Sequence, residues 1–319
     1  MKKNMLLACS ALLLFSALFA FPKEMMDTSQ TMLQMCLTTV IPSLFPFLAA
    51  VGLLLPQAQK TAAARFSPFM RYFFRSRGIC ALPLFLGFLS GYPMGAKVTE
   101  TLYEKRLLTA QESRYLMTFV NLPSPLFVLG TVGTGFFGTP LWGYALLGAI
   151  WVSALAEGLI MRPFFTLPSS MQATEQVPTL PAASLSRTME ESVLVSLRIS
   201  AFIIFFSLLQ KGIFLWGSAL LSPAVFQQNT VFSALFGGLM EMTGGTAQLP
   251  QTTLSLRLQL SLAAGLLTFG GLSVAGQVKS VTATLPLHLW HYFLAKGLHG
   301  IFASGIMYLI FPIFSVQTE

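Results

Sequence analysis

Charged residues are the scarcest class in this chain of 319 residues. Asp, Glu, Lys and Arg together make up 9% of it, against roughly 25% in an ordinary soluble domain. Apolar residues make up 54%, and the mean hydropathy is +0.71. Because a water-facing surface needs more charge than this, most of the surface must face lipid. The sequence therefore predicts an all-α polytopic protein of the cell membrane.

Cysteine, histidine and catalytic motifs are also scarce or missing. Cys9, Cys36 and Cys80 lie in apolar surroundings without the spacing of metal ligands. The chain has no HExxH zinc motif, no GxSxG elbow and no phosphate loop. We therefore expect no enzyme activity, no metal site and no cofactor. The net charge of +8 is typical of basic cytoplasmic loops, so we expect no nucleic-acid partner.

Apolar runs long enough to cross a bilayer, about 20 residues each, recur along the chain. The seven predicted spans lie at roughly residues 5–22, 40–56, 114–137, 141–162, 199–221, 256–280 and 285–313. The first run lacks the small residues of a signal-peptide cleavage site, which predicts an uncleaved span. Residues 27–39 have the spacing of an interfacial helix.

Basic residues predict which side of the membrane each loop occupies. Residues 57–78 contain five bases and no acid, and Lys2 and Lys3 open the chain. Cytoplasmic loops carry such an excess of bases, so we expect a cytoplasmic N-terminus. Seven crossings would then leave the C-terminus on the outside.

Two glycine-broken patches interrupt the apolar part of the chain at matching positions. The patches cover residues 87–97 and 237–246, and each precedes a second interruption, at residues 119–125 and 269–277. Gly87 and Gly237 stand 150 positions apart, as do Gly95 and Gly245. Paired interruptions of this kind mark the binding sites of secondary transporters.

The same patches predict two re-entrant hairpins in inverted repeats. Basic segments flank residues 79–96 on both sides, so this stretch should enter the membrane and return. Three predicted spans separate the patches, so the second hairpin should enter from the opposite face. The expected parts are N-terminal spans with an interfacial helix (1–56), a basic cytoplasmic segment (57–78), a first repeat (79–162), a linker with an amphipathic segment (163–198), and a second repeat with the last span (199–313).

Polar groups in the interruptions form the candidate solute site. A carboxylate in hydrocarbon is expensive, so Glu241 is predicted to bind a cation, a proton or a solute hydroxyl, or else to lie at the interface. Pro123 and Pro125 remove helix donors and free carbonyls beside Asn121. A kinked helix, with glycines serving close packing, is the alternative. The predicted solute-binding residues are Gly91, Tyr92, Pro93, Gly95, Asn121, Pro123, Ser124, Glu241, Thr243, Gly244, Ser273 and Gln277.

Histidines are confined to the last predicted span. His288, His291 and His299 fall within one arc of a helix, with Lys296 nearby. A proton or metal role is open for such residues. No acid or cysteine joins them in the sequence, so we favour a structural role.

Five short runs resemble the YlbJ sporulation integral membrane proteins. They are IPSLFPF (41–47), SGYPMGAK (90–97), NLPSPLF (121–127), EMTGG (241–245) and FGGLSVAGQV (269–278). The resemblance covers roughly residues 30–310 and implies nucleoside-recognition gate segments, similar to those of concentrative nucleoside transporters and ferrous iron transport B proteins. It also implies a role in forming the spore cortex. Leu122 stands where a second asparagine is often found, and Ala275 where a histidine is common.

These features predict a transporter with a gate fold that moves a small polar solute, either nucleoside-like or a cation. Membrane lipids and sporulation membrane proteins are the other expected partners. A non-transporting scaffold or assembly factor in sporulation is the alternative, and a lipid or precursor flippase is a third hypothesis. A transporter needs a polar cavity that reaches both patches, whereas a scaffold does not. The distance between the patches and the polarity of the centre therefore distinguish a transporter from a scaffold.

Overall fold

The computed structural model describes residues 2–167, 184–221, 226 and 230–315, and no strand occurs in these ranges. The linker expected at residues 166–186 lies largely outside the described residues. The α-helices are α1 Lys2–Ala20, α2 Pro22–Met35, α3 Ile41–Phe74, α4 Ala81–Ser90, α5 Met94–Glu104, α6 Ala110–Phe119, α7 Pro140–Met161, α8 Leu185–Leu220, α9 Val231–Met240, α10 Met242–Gln248, α11 Leu256–Phe269, α12 Gly271–Val281 and α13 Leu289–Ser315. Two further segments, Cys36–Val40 and Phe127–Phe136, are π-helical.

In the described part of the chain, four helical stretches are long and apolar enough to cross a membrane. The number rises to six if each of two bent helix pairs is counted as one span. The four are Pro140–Phe164, Leu185–Leu220, Leu256–Val281 and Leu289–Ser315. The bends measure 112° between α1 and α2, and 91° between the end of α3 and the stretch that contains α4. The predicted all-α, multi-pass membrane fold is confirmed. Within the described residues, however, the continuous spans number fewer than the seven expected.

Two of the expected spans account for much of this difference. The expected span 40–56 lies almost entirely in α3, which begins at Ile41 and continues as one helix through most of the basic segment to Phe74. Residues 114–137 do not form one helix, because α6 ends at Phe119 and the chain is irregular before the π-helix begins at Phe127. Pro123 and Pro125 explain this break, since neither has a backbone N–H to continue the helix.

Each glycine-broken patch forms a hairpin of two short helices that pack against each other. In the first hairpin, α4 and α5 are joined at residues 91–93, where Gly91 has a φ of +82° that favours glycine. In the second hairpin, α9 and α10 meet at Glu241, whose backbone is extended. The chain therefore reverses at both predicted positions.

The first hairpin opens toward one end of the protein, which we call the basic end. Arg77, before α4, forms an ion pair with Glu112 at the start of α6 at 2.6 Å. Near the end of α5, Glu100 accepts a hydrogen bond from the backbone N–H of Thr284 at 2.6 Å. Arg162, directly after α7, donates to the carbonyl of Phe73 at 2.8 Å. The ends of α3, α5 and α7 and the starts of α4 and α6 thus lie together.

The second hairpin opens toward the opposite end. At that end, Trp142 near the start of α7 stacks on Phe311 near the end of α13. Helix α8 runs from the basic end, where Arg198 donates to the carbonyl of Ser280, and its later residue Phe214 contacts Phe232 at the start of α9. The two hairpins therefore enter from opposite ends, as inverted repeats require. Which end faces the cytoplasm stays a prediction.

Each hairpin packs against the broken helix that follows it in the chain. Methyl groups on Gly87 and Gly95 would lie 2.0 and 2.3 Å from the carbonyl oxygen of Val120, in the first break. In the second half, a methyl group on Gly271 would lie 2.8 Å from the carbonyl oxygen of Gly238. Such distances exclude a side chain, so glycine allows the backbones to approach this closely.

Candidate functional site

A small cavity lies where the two hairpins and the two broken helices meet. Its space for the centres of water molecules is about 50 Å³. The polar side chains that line it are Tyr92, Ser124, Glu241, Thr243 and Gln277. They come from the first hairpin turn, the first break, the second hairpin and α12. Pro123 and several apolar residues from α3, α8 and neighbouring segments complete the wall. The structure thus brings together six of the twelve predicted site residues.

Glu241 is the charged residue of this cavity. Its side chain is buried, with 1% of the residue exposed, and its Oε2 accepts a hydrogen bond from the backbone N–H of Gly244 at 2.9 Å. The carboxylate thereby caps the start of α10. No lysine, arginine or histidine in the described ranges lies within ion-pair distance of it. Such a carboxylate can accept hydrogen bonds from a solute or contact a cation.

The second broken helix contributes an amide to the same cavity. Gln277 on α12 lines it, and its Nε2 donates to the hydroxyl of Ser273 at 3.3 Å. Ser273 is fully buried behind Gln277. The serine therefore orients the amide, and the amide oxygen of Gln277 can accept from a solute.

The remaining predicted residues shape the backbone around the cavity. A methyl group on Gly91 would lie 2.4 Å from the backbone nitrogen of Ser124, so the first turn and the first break are in direct contact. Pro93 precedes α5 as its N-terminal cap residue. Gly95 lies against the first break, and the backbone of Gly244 donates to the carboxylate described above.

Asn121 is the predicted residue that lies elsewhere. It does not line the cavity, although it is fully buried in the first break. Its Nδ2 contacts the sulfur of Met117 at 3.5 Å, and its backbone carbonyl accepts a hydrogen bond from Lys296 at 2.7 Å. Asn121 thus connects the first break to a second polar cluster.

That cluster consists of Glu157, Lys296 and His299, which are all fully buried. Nδ1 of His299 lies 3.1 Å from Oε2 of Glu157 and 3.2 Å from Nζ of Lys296. Lys296 also lies 5.5 Å from the ring centroid of Tyr92. We call these three residues the charge cluster. Within the described residues, no group of three or more acids, histidines or cysteines is arranged to hold a metal ion.

Comparison with known proteins finds a similar integral membrane protein. The chain is 28% identical to the sporulation integral membrane protein YlbJ of Bacillus subtilis (strain 168), in an alignment that covers 96% of this chain and 82% of YlbJ. The resemblance to the YlbJ-like family is confirmed. No family model matches the chain, and no solved structure matches it.

The charge cluster is the feature that the sequence reasoning missed. The expectation that no acid joins the histidines of α13 is wrong, because Glu157 on α7 lies against His299. His288 and His291 do not join the cluster and are exposed near the start of α13. One signal was available: Glu157 is the sole charged residue of the apolar helix α7, and such a residue requires a partner.

Proposed function

We propose that this protein moves a small polar solute, nucleoside-like or a cation, across the membrane. The observation that carries the proposal is the cavity lined by polar side chains from both hairpins and both broken helices. Transporters build midplane sites in this way, because broken helices expose backbone groups only where a cavity satisfies them. The hydroxyl of Tyr92 donates to the carbonyl of Thr268 at 2.8 Å, so the first hairpin touches the second break. The first patch and the second break are thus adjacent, and five polar side chains meet at the centre, which supports the transport proposal.

The cavity size bears on which solute enters. A volume of about 50 Å³ accommodates a few water molecules, each of which needs at least roughly 10–15 Å³. Pockets for larger organic ligands measure about 300–1,000 Å³. In the described conformation the cavity therefore fits a cation, and a nucleoside would require the hairpins to move apart.

The relative suggests where the activity is used. YlbJ is a sporulation integral membrane protein, so we propose that the present chain acts in a membrane during sporulation. Nucleoside recognition and the gate role of the hairpins are part of the same proposal, and the opposed hairpins support them.

Uptake into proteoliposomes tests the proposal. Purified protein is reconstituted, and the uptake of labelled uridine and of labelled sodium is compared with protein-free vesicles. We expect uptake of at least one probe, and a large loss in Glu241→Ala and in Gln277→Ala. The matched control is Glu190→Ala, because Glu190 is exposed on α8. If both cavity variants equal the wild type for every probe transported, the assigned site is wrong.

A non-transporting scaffold is the second candidate, and the small volume of the cavity favours it. A scaffold predicts that wild-type vesicles take up neither probe faster than protein-free vesicles. It also predicts that Glu241→Ala changes stability alone.

A further inference from the structure

The charge cluster has a geometry that one arrangement of protons cannot satisfy. A ring nitrogen of histidine is either an N–H donor or an acceptor, an ammonium group only donates, and a carboxylate only accepts. Nδ1 of His299 lies 3.2 Å from the ammonium of Lys296 and 3.1 Å from the carboxylate of Glu157. It therefore cannot accept from Lys296 and donate to Glu157 in the same state.

Two arrangements are possible, and they differ by one proton, which Nδ1 of His299 either carries or lacks. When Nδ1 is unprotonated, its single lone pair accepts from Lys296, and Glu157 has no hydrogen bond to the ring. When Nδ1 is protonated, it donates to Glu157, and Lys296 keeps its hydrogen bond to the carbonyl of Asn121. Neither oxygen of Glu157 has a hydrogen-bond partner with good geometry among the described residues. The cluster is thus able to bind a proton.

One side of the cluster faces the solute cavity. Lys296 donates to the carbonyl of Asn121, which precedes the cavity residues Pro123 and Ser124 in the same break. Tyr92 lines the cavity, and its ring lies 5.5 Å from the ammonium of Lys296. Lys296 therefore lies beside two segments that supply residues to the cavity wall.

A second pocket, of about 480 Å³, is lined by Ala295 and Leu298, the chain neighbours of Lys296 and His299. This pocket is lined by Arg114, His288, His291 and Tyr292 among others, and both histidines are exposed, so it opens at the surface. Tyr292 lies one turn before Lys296 on the same face of α13. Its hydroxyl is buried without a partner among the described residues. Tyr292 thus lines the pocket and stands one helical turn from Lys296.

Most other ionisable groups on α13 and on the helices packed against it have contacts elsewhere. Arg114 donates to the carbonyl of Pro286, Tyr115 to the carbonyl of Gly158, and Arg257 to the carbonyl of Tyr308. Glu112 pairs with Arg77, and Tyr144 is exposed. The groups that face the charge cluster are therefore Tyr92 and Tyr292.

We propose that Glu157, Lys296 and His299 form an intramembrane proton-binding site that exchanges its proton through the pocket beside Tyr292. The charge of this site controls the first break through the hydrogen bond from Lys296 to Asn121. Only the coupling of this proton to solute movement rests on the transport function proposed above. Buried acids, lysines and histidines in membrane helices are typical of proton relays.

Infrared difference spectroscopy tests proton binding without any transport. Purified protein in lipid nanodiscs is titrated, and two signals are followed: the carbonyl stretch of protonated Glu157 and the ring modes of isotope-labelled His299. We expect at least one of these signals to titrate. The Glu157 signal should disappear in Glu157→Gln, and the His299 signal in His299→Gln. The exposed Glu190→Gln variant should retain them. If neither signal titrates over the range in which the protein stays folded, the proton site is rejected.

Proteoliposomes with an imposed pH gradient test the coupling. We expect the wild type to accumulate labelled uridine above equilibrium, and Glu157→Gln to lose accumulation by a far larger factor than it loses uridine exchange. Equal accumulation by both proteins would reject the coupling. If the wild type neither accumulates nor exchanges uridine, nucleoside transport and its coupling both fail, whereas the infrared result still decides the proton site. The double variant Glu157→Gln with Lys296→Gln, which removes both charges, controls for misfolding.

Discussion

The two halves of the molecule share one architecture but divide the chemistry between them. In each half, a hairpin packs closely against the broken helix that follows it. The first break is long and contains two prolines, whereas the second consists of Gly270 and Gly271, both with positive φ. The first hairpin turn contributes Tyr92 to the cavity, and the second contributes Glu241.

The breaks also differ in the groups that satisfy their free carbonyls. Lys296 donates to the carbonyl of Asn121 in the first break, while Tyr92 donates to the carbonyl of Thr268 in the second. The first break therefore depends on a charged group, and the second on a neutral one. A change of protonation near Lys296 should act on the first half alone. The two halves thus share one architecture, but the carbonyl in the first break accepts from a charged side chain, so the first half can respond to a change of charge.

Replacing Lys296 should have the largest effect on stability. We expect Lys296→Met to lower the free energy of unfolding by about 3–5 kcal/mol, because it removes the buried ammonium group that donates to the carbonyl of Asn121 and interacts electrostatically with Glu157. Thermal and denaturant unfolding in detergent measure this. The double variant Lys296→Met with Glu157→Gln should recover part of the loss in a double-mutant cycle. If Lys296→Met is as stable as the wild type, the first break does not depend on a charged group.

Adding a methyl group to a glycine at a close backbone contact of either hairpin should have the next largest effect on stability. We expect Gly95→Ala to cost about 1–3 kcal/mol, because the added methyl group would overlap the carbonyl of Val120. Gly245→Ala, whose methyl group would lie 2.1 Å from the nitrogen of Gly238 between the two helices of the second hairpin, should cost a similar amount in the second half. The control is Gly148→Ala, which meets no atom within 4 Å. If one of the two variants is as stable as the wild type, the two halves do not share the same close packing.

Removing the hydroxyl that caps the second break should have a smaller effect. We expect Tyr92→Phe to lower stability by about 1 kcal/mol, since it leaves the carbonyl of Thr268 without its donor. The matched variant Tyr292→Phe should be close to neutral, because that hydroxyl has no partner among the described residues. Unfolding midpoints of both variants, measured together, decide this. A larger loss in Tyr292→Phe would contradict the assignment.

The smallest effects should come from the two buried serines beside the breaks. Ser124 accepts from the backbone N–H of Phe127 at 3.2 Å and caps the segment after the first break, so Ser124→Ala should cost about 1 kcal/mol. Ser273 accepts only from Gln277 at 3.3 Å, so we expect Ser273→Ala to cost less than about 1 kcal/mol. The difference is measured from unfolding midpoints under one condition. The reverse order would show that the second break depends more on its side chains.

Much of this arrangement could be predicted from the sequence, because glycine and proline act locally. The glycines at residues 87–95 and 237–245 indicated two hairpins, and both occur there. Pro123 and Pro125 indicated a break, although the expected span at residues 114–137 did not allow for how completely they end α6. Helix α3 was missed as a unit, because its basic half lies beyond the apolar run that defined the span.

The sequence by itself determined the class of the protein and the positions at which its helices break. Both depend on composition and on backbone chemistry, which each residue carries with it. Only the tertiary structure decided which polar groups meet. Glu157 and His299 are far apart in the chain, and it is the packing of α7 against α13 that brings them together. Asn121 likewise faces Lys296 rather than the cavity, because the path of the first break sets its direction.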